Sequence, residues 1–385
     1  MLSILAPLFV FGIVVFVHEL GHFLAAKSVG VYTPRFSIGF GKALWRRRYG
    51  ETEYIIGALP LGGYVRMASK DDEATAFLEG GSENQVAEGP SKGEPMDPDA
   101  MMPFGPKPIP PDRWFESKPV AARLMILLAG VTMNIVLSLV VMTGMFAWYG
   151  NPYLSTRADS LVADRPGAQA GLLKGDSIVS INGESVDWEA LVTKISASPG
   201  VALRVGVMRG AESREFTVTP TIDTVTNPST GKVDSVGRIG IVPVQLSQRV
   251  GPIEAVTSAW TATWRMAGMV IDALHGLATR RVAASELGGP IMIAQASVQA
   301  ARGGAEQLFF LIALISTNLA VFNLLPIPIL DGGQIVITVL EAIKGKSFSM
   351  RTREYILRAG LFAVLLLFAL VTYNDLRRLF ISLVT

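Results

Sequence analysis

Four stretches of the chain are apolar enough, and long enough, to cross a bilayer. The first covers residues 2–27: positions 4–17 carry no charge, and apolar character resumes at Phe23 after a short polar interruption. Read as a helix it is long enough for a hydrocarbon core about 30 Å thick. The others lie at about 120–148, 307–325 and 356–373. Residues 50–67 (GETEYIIGALPLGGYVRM) set the β-formers Tyr54, Ile55, Ile56, Tyr64 and Val65 around Gly57, Pro60, Gly62 and Gly63, which predicts a hairpin or short sheet. Residues 70–112 are rich in Gly, Pro, Asp and Glu and predict a mostly disordered loop, with Phe104 and its neighbouring prolines docking locally. Residues 155–245 have soluble character: turn, strand and an Asn182-Gly183 turn, a helix at 188–196, then strands at 201–209 and 215–219. Residues 255–277 mix polar and apolar positions as an amphipathic helix on a membrane surface would; Arg265, Asp272 and His275 interrupt a full span. The pattern therefore predicts an α-helical polytopic membrane protein of about four spans, with a membrane-associated β-hairpin and one inserted α+β domain. The divisions fall at 1–149, 150–245, 246–305 and 306–385.

Composition supports this reading. Of 385 residues, 50% are hydrophobic and 17% charged, too apolar for an ordinary soluble protein. The net charge is +2 and no basic run is interleaved with aromatics, so a nucleic-acid partner is not expected. There is no cysteine, which excludes disulfides and thiolate metal sites; a zinc ion would need His, Asp or Glu. The first segment lacks a basic start and is expected to stay as a span rather than be cleaved. Lys27, Arg35, Lys42 and Arg46–Arg48 follow it, and Lys344, Lys346, Arg351 and Arg353 follow the third span. Both clusters place those ends in the cytoplasm and the inserted domain outside it. Arg377 and Arg378, past the fourth span, run against that tendency.

The interruption in the first span is His18-Glu19-Leu-Gly-His22. Two histidines four apart lie on one helix face, and Glu19 sits beside the first. This is the pattern in which two imidazoles bind zinc and the carboxylate acts as general base. Ionisable groups at membrane depth are costly and need a partner or a purpose. Two carriers of the third ligand position stay open on the residues alone. Asp331 follows the helix-breaking Pro326 and Pro328 and is either a ligand or a helix N-cap. His275, the remaining histidine, would be the third ligand of a soluble-type zincin anchored by helices. Asn134, near Ala129-Gly130 in the second span, offers an amide for bonding between helices.

The segment AGLLKGDSIVSINGESV resembles a PDZ domain of the bacterial protease type, over about residues 154–222. With HELGH in the first span and NLLPIPILDGG in the third, the chain as a whole resembles the bacterial site-2 proteases. These are intramembrane zinc metalloproteases of the kind that includes the regulator of sigma-E protease. The resemblance implies one zinc ion held by His18, His22 and Asp331, with Glu19 catalytic. It implies Asn323, Gly62, Gly63 and Asn134 at the substrate, although Val131 stands where the family has proline. It further implies substrates that are single-span membrane proteins such as anti-sigma factors, membrane-bound regulators and remnant signal peptides. Protein ends would bind the PDZ domain, in the periplasm, while the active site would lie near the cytoplasmic side of the inner membrane. A membrane-anchored PDZ scaffold with a structural metal site is the non-enzymatic alternative.

Overall fold

The computed structural model describes residues 2–69, 97–226, 233–281 and 288–384. The chain divides into two compact units. One comprises Met1–Met145, Ala259–Ile271 and Ala283–Thr385; the other comprises Phe146–Ser258 and Asp272–Val282.

In the first unit, α1 (Leu2–Ser28) is followed by β1 (Arg35–Tyr49) and β2 (Thr52–Arg66). Residues 35–38 pair with 53–56 on one side and with 63–66 on the other, while 45–49 pair with 52–56. The two long strands thus fold into four rows, with 45–49 and 63–66 at the edges. The bends occur where Gly39, Gly41 and Gly62 adopt φ of 86°, 82° and 138°, which glycine reaches without strain. A hairpin confined to 50–67 is therefore only half of this sheet. The basic run Arg46–Arg48, read above as a topology signal alone, is one of its rows. One sheet face rests on α1: Phe36 packs against Phe16 and Phe23 with ring centroids 6.0 and 5.2 Å apart. A buried Arg35–Glu53 pair (2.9 Å) lies within the sheet.

Of the stretch expected to be disordered, residues 70–96 lie outside the described residues. Residues 97–112 are ordered, because Phe104 is buried and the Arg48 guanidinium lies 4.8 Å over its ring.

Helix α2 (Val120–Tyr149) crosses α1 closely: a Cβ on Gly21 would stand 2.4 Å from the Ala129 carbonyl oxygen. Candidate spans in this structure are Leu5–Ser28, Val120–Tyr149, Ala305–Asn323 and Arg351–Ile381. Their packing combines apolar contacts (Val10, Val14 and Ile312 with Leu137) and buried hydroxyl bonds. Thr317 Oγ1 donates to Ser138 Oγ at 2.9 Å, and Ser316 Oγ to the Asn134 carbonyl at 2.8 Å. Such bonds satisfy polar groups that lipid cannot.

The second unit begins with β3 (Asn151–Leu161), α3 (Pro166–Gln169), β4 (Ser177–Ile181), β5 (Glu184–Ser185) and α4 (Trp188–Ser196). It continues through β6 (Leu203–Arg209), β7 (Glu212–Val218), β8 (Thr221–Thr226), β9 (Val233–Arg238) and β10 (Ile241–Gln248). Six strands form one sheet in the order β10-β3-β4-β6-β7, with β5 on β4; β8 and β9 pair separately. Alternation builds the core: Leu203, Val205 and Val207 point inward to Ile178, Ile181, Leu191 and Ile195. Asn182 and Gly183 both take positive φ (52° and 86°), the conformation of a tight hairpin turn. Asp187 caps α4 by accepting from the Ala190 N–H at 2.8 Å. Arg209 bonds Asp176 at 2.8 Å and holds that buried carboxyl below the usual range, against the opposing effect of burial.

Helix α5 (Pro252–Ala278) follows, with Ala255, Ala259, Thr263 and Met266 buried and Ile253, Trp260 and Trp264 exposed; it is not one of the four candidate spans. Then come α6 (Pro290–Gly303), α7 (Ala305–Asn323), α8 (Asp331–Lys344) and α9 (Met350–Val384). The fourth span was expected to end near 373. Instead α9 runs unbroken, because nothing beyond Gly360 breaks a helix and Asp375 ties it to α6, accepting from the Gly289, Ile291 and Met292 N–H groups.

Candidate metal centre

Helix geometry places His18 and His22 on the face of α1 turned toward α2, and both are buried. Their Nε2 atoms are 3.2 Å apart. Asp331 arrives from the other half of the chain. Helix α7 ends at Asn323, the Leu324–Leu330 turn carries Pro326 and Pro328, and Asp331 opens α8. Asp331 is not the N-cap, a position that Leu330 holds without a side-chain bond. Its carboxylate instead meets the histidines: Oδ2 is 3.3 Å from His18 Nε2 and Oδ1 is 3.4 Å from His22 Nε2. Gly332 and Gly333 make this approach possible, since a Cβ there would stand 2.3 and 2.1 Å from the Leu324 and Ile327 carbonyl oxygens.

These three residues are a group whose donor atoms all lie within 4.8 Å of one another. Two observations test whether a metal fits. Asp331 Oδ2 is buried with no hydrogen-bond partner among the described residues, a cost that a cation would remove. Donors about 2.0–2.1 Å from a tetrahedral zinc lie about 3.4 Å apart; the two Nε2 atoms are 3.2 Å apart, and each has one oxygen of the Asp331 carboxylate at 3.3 or 3.4 Å. The residues fit zinc, with a fourth position left for a reactant.

The surroundings fix the donors. His22 Nδ1–H donates to the Ile126 carbonyl at 2.8 Å, which leaves Nε2 as the lone-pair donor. The Asn134 amide, fully buried, lies 3.3 Å from His18 Nδ1. Gly130 lets α2 pass directly beneath both rings: a Cβ there would meet His22 Nε2 at 2.3 Å. Glu19 lines the same cavity as Gly63, Tyr64 and Val65 on the edge row of β2. Gly63 keeps that row close; its Cβ would sit 2.7 Å from the Ser37 carbonyl oxygen and 3.3 Å from Glu19 Cγ. The cavity, about 480 Å³, is lined by His18, Glu19, His22, Gly63, Asn323 and Asp331 among others. Asn323 Nδ2 lies 3.2 Å from His18 Nε2.

Most residues singled out in the sequence therefore converge. Two do not line the cavity. Gly62 serves the bend, where a Cβ would strike the Phe40 ring, and Asn134 stands behind His18. His275 is not in the donor group. Sequence reasoning missed the roles of Gly21, Gly130 and the Ile126 carbonyl; the small pair Ala129-Gly130 was the one visible trace of them. It also missed Arg123, Glu341 and Arg353, which line the far end of the cavity.

A family model for peptidase family M50 matches residues 6–367. The chain is 30% identical to the regulator of sigma-W protease RasP of Bacillus subtilis, over 98% of this chain and 99% of that protein. It is also 30% identical to the zinc metalloproteases RasP of Bacillus licheniformis and of Geobacillus kaustophilus, in each case over 98% of this chain and at least 99% of the relative.

Proposed function

The chain belongs to peptidase family M50 and is a membrane zinc metalloprotease, and from that premise we propose that it cuts peptide bonds in or beside the transmembrane segments of other membrane proteins. The observation that carries this reading is the outer row of the sheet, residues 63–66. It lies beside Glu19 and the His18–His22–Asp331 group, on a scaffold of apolar helices. Among the described residues no strand pairs with the outer side of that row.

His18, His22 and Asp331 would hold the ion. The chemistry the ion would supply there is Lewis acidity, toward a water and toward the scissile carbonyl. Glu19 takes the proton and delivers it to the leaving amine. The Asn323 amide, aimed at the same space, donates to the carbonyl oxygen as charge develops there. A substrate helix must unwind to expose a peptide bond. Pairing with row 63–66 replaces the hydrogen bonds it gives up, and Gly63 keeps that row within reach of the base.

We read residues 150–245 as a PDZ domain that receives extended peptides or protein ends. Support comes from β10, an edge strand, and from a groove of about 570 Å³ lined by Leu191, Val192 and Ile195 of α4 and by residues 236–241. The basic clusters support a metal centre near the cytoplasmic face of a bacterial inner membrane and a PDZ domain in the periplasm. One relative is called a regulator of sigma-W protease. With the site it supports single-span substrates such as anti-sigma factors, other membrane-bound regulators and remnant signal peptides. The alternative, a PDZ scaffold with a structural metal site, leaves Glu19 without a purpose.

Mass spectrometry of products from purified protein and a single-span reporter tests the proposal. The expected cut falls within the apolar segment or a few residues from it. Cuts confined to the reporter's soluble part would refute it.

A further inference from the structure

The cavity of the metal centre extends well past the metal ligands. Asp331, Gln334, Thr338 and Glu341 line it from one face of α8, and ten residues of helix carry it about 15 Å from Asp331 to Glu341. Three charged side chains close that end. Glu341 is buried and fully engaged: it accepts from Arg353 at 2.6 and 2.7 Å and from the Phe348 N–H at 2.7 Å. Arg123, from the first turn of α2, is different. Its side chain is 12% exposed, its nearest approach to Glu341 is 3.8 Å, beyond hydrogen-bond distance, and its Nε is buried with no hydrogen-bond partner among the described residues. Among the described residues that line this end, two guanidiniums face one carboxylate, which leaves a net positive charge and an unused donor. A buried unpaired donor is costly, and Arg presents a planar fork suited to a carboxylate.

We propose that Arg123 is a specificity-determining residue of the protease, which takes an acidic side chain of the substrate polypeptide. This rests on the cleavage reading above. A substrate strand advances about 3.3 Å per residue, so the acidic residue lies about four residues from the scissile bond. The preferred substrates are thus spans whose cut site is followed or preceded at that distance by Asp or Glu.

The test uses the full-length purified protein and single-span reporters that carry Asp, Asn or Lys at positions three to five residues either side of the cut. Cleavage of the Asn reporter establishes that the protease reading holds, independently of charge. Wild type is expected to cut the Asp reporter about tenfold or more faster than the Asn reporter, and the Lys reporter slowest. Arg123→Lys keeps that order. Arg123→Gln removes the preference while still cutting the Asn reporter, and Arg123→Glu favours the Lys reporter. Equal rates for wild type on all three would overturn the proposal. So would loss of cleavage on every reporter alike in Arg123→Lys and Arg123→Gln, which would assign Arg123 to holding α2 and α8 together.

Discussion

His18 and His22 are donors only because other groups hold them as such. His22 is set by the Ile126 carbonyl. His18 has the Asn134 amide at Nδ1, and that amide's Oδ1 is buried without a partner. Amide ends are assigned from bonding; with the group turned end for end, Oδ1 accepts His18 Nδ1–H and leaves Nε2 to the metal. The third donor separates the readings left open by the sequence. Asp331→Ala is expected to purify with less than a tenth of the zinc of wild type, while His275→Ala keeps a full equivalent by elemental analysis; the opposite pattern would move the site to His275. The His-Glu-x-x-His pattern was legible because chemistry fixes both its residue types and its spacing. Gly21 and Gly130 were not, because a glycine's role is the space it leaves, which only the crossing of two helices defines.

The β1–β2 sheet is where local pattern and fold part company. β-Forming residues were readable at 54–56 and 64–65, but β1 is harder to see: its bulges shift the register and its outer row is basic. Row 63–66 lines the cavity beside Glu19 and presents its backbone there. Val65→Pro removes a backbone donor from that row. It is expected to lower cleavage about a hundredfold or more while zinc content stays at the wild-type level, a split that a merely unfolded variant would not give. Helix α9 teaches the complementary point. The apolar run suggested a span ending near 373, yet a helix stops only where a breaker or a competing partner stops it, and Asp375 anchors this one instead.

At the scale of the whole molecule, two distant motifs must meet. HELGH and the Asp331 turn are separated by more than 300 residues and a soluble insert, so their convergence reflects span packing rather than any local signal. The proposed orientation is testable because the chain has no native cysteine. In single-cysteine variants at the exposed Ser347 and Ser213, an impermeant maleimide added to intact cells is expected to label only Ser213→Cys. Labelling of Ser347→Cys alone would invert the topology. The measurement that bears most directly on the account is cleavage of a single-span reporter by purified wild type beside Glu19→Gln, with zinc measured on both. The predicted result is one zinc per chain in each and a loss of about 10²–10⁴-fold in cleavage for the variant. Equal cleavage by both proteins, or protein that cuts without bound zinc, would contradict the central claim that Glu19 acts as base at a zinc held by His18, His22 and Asp331.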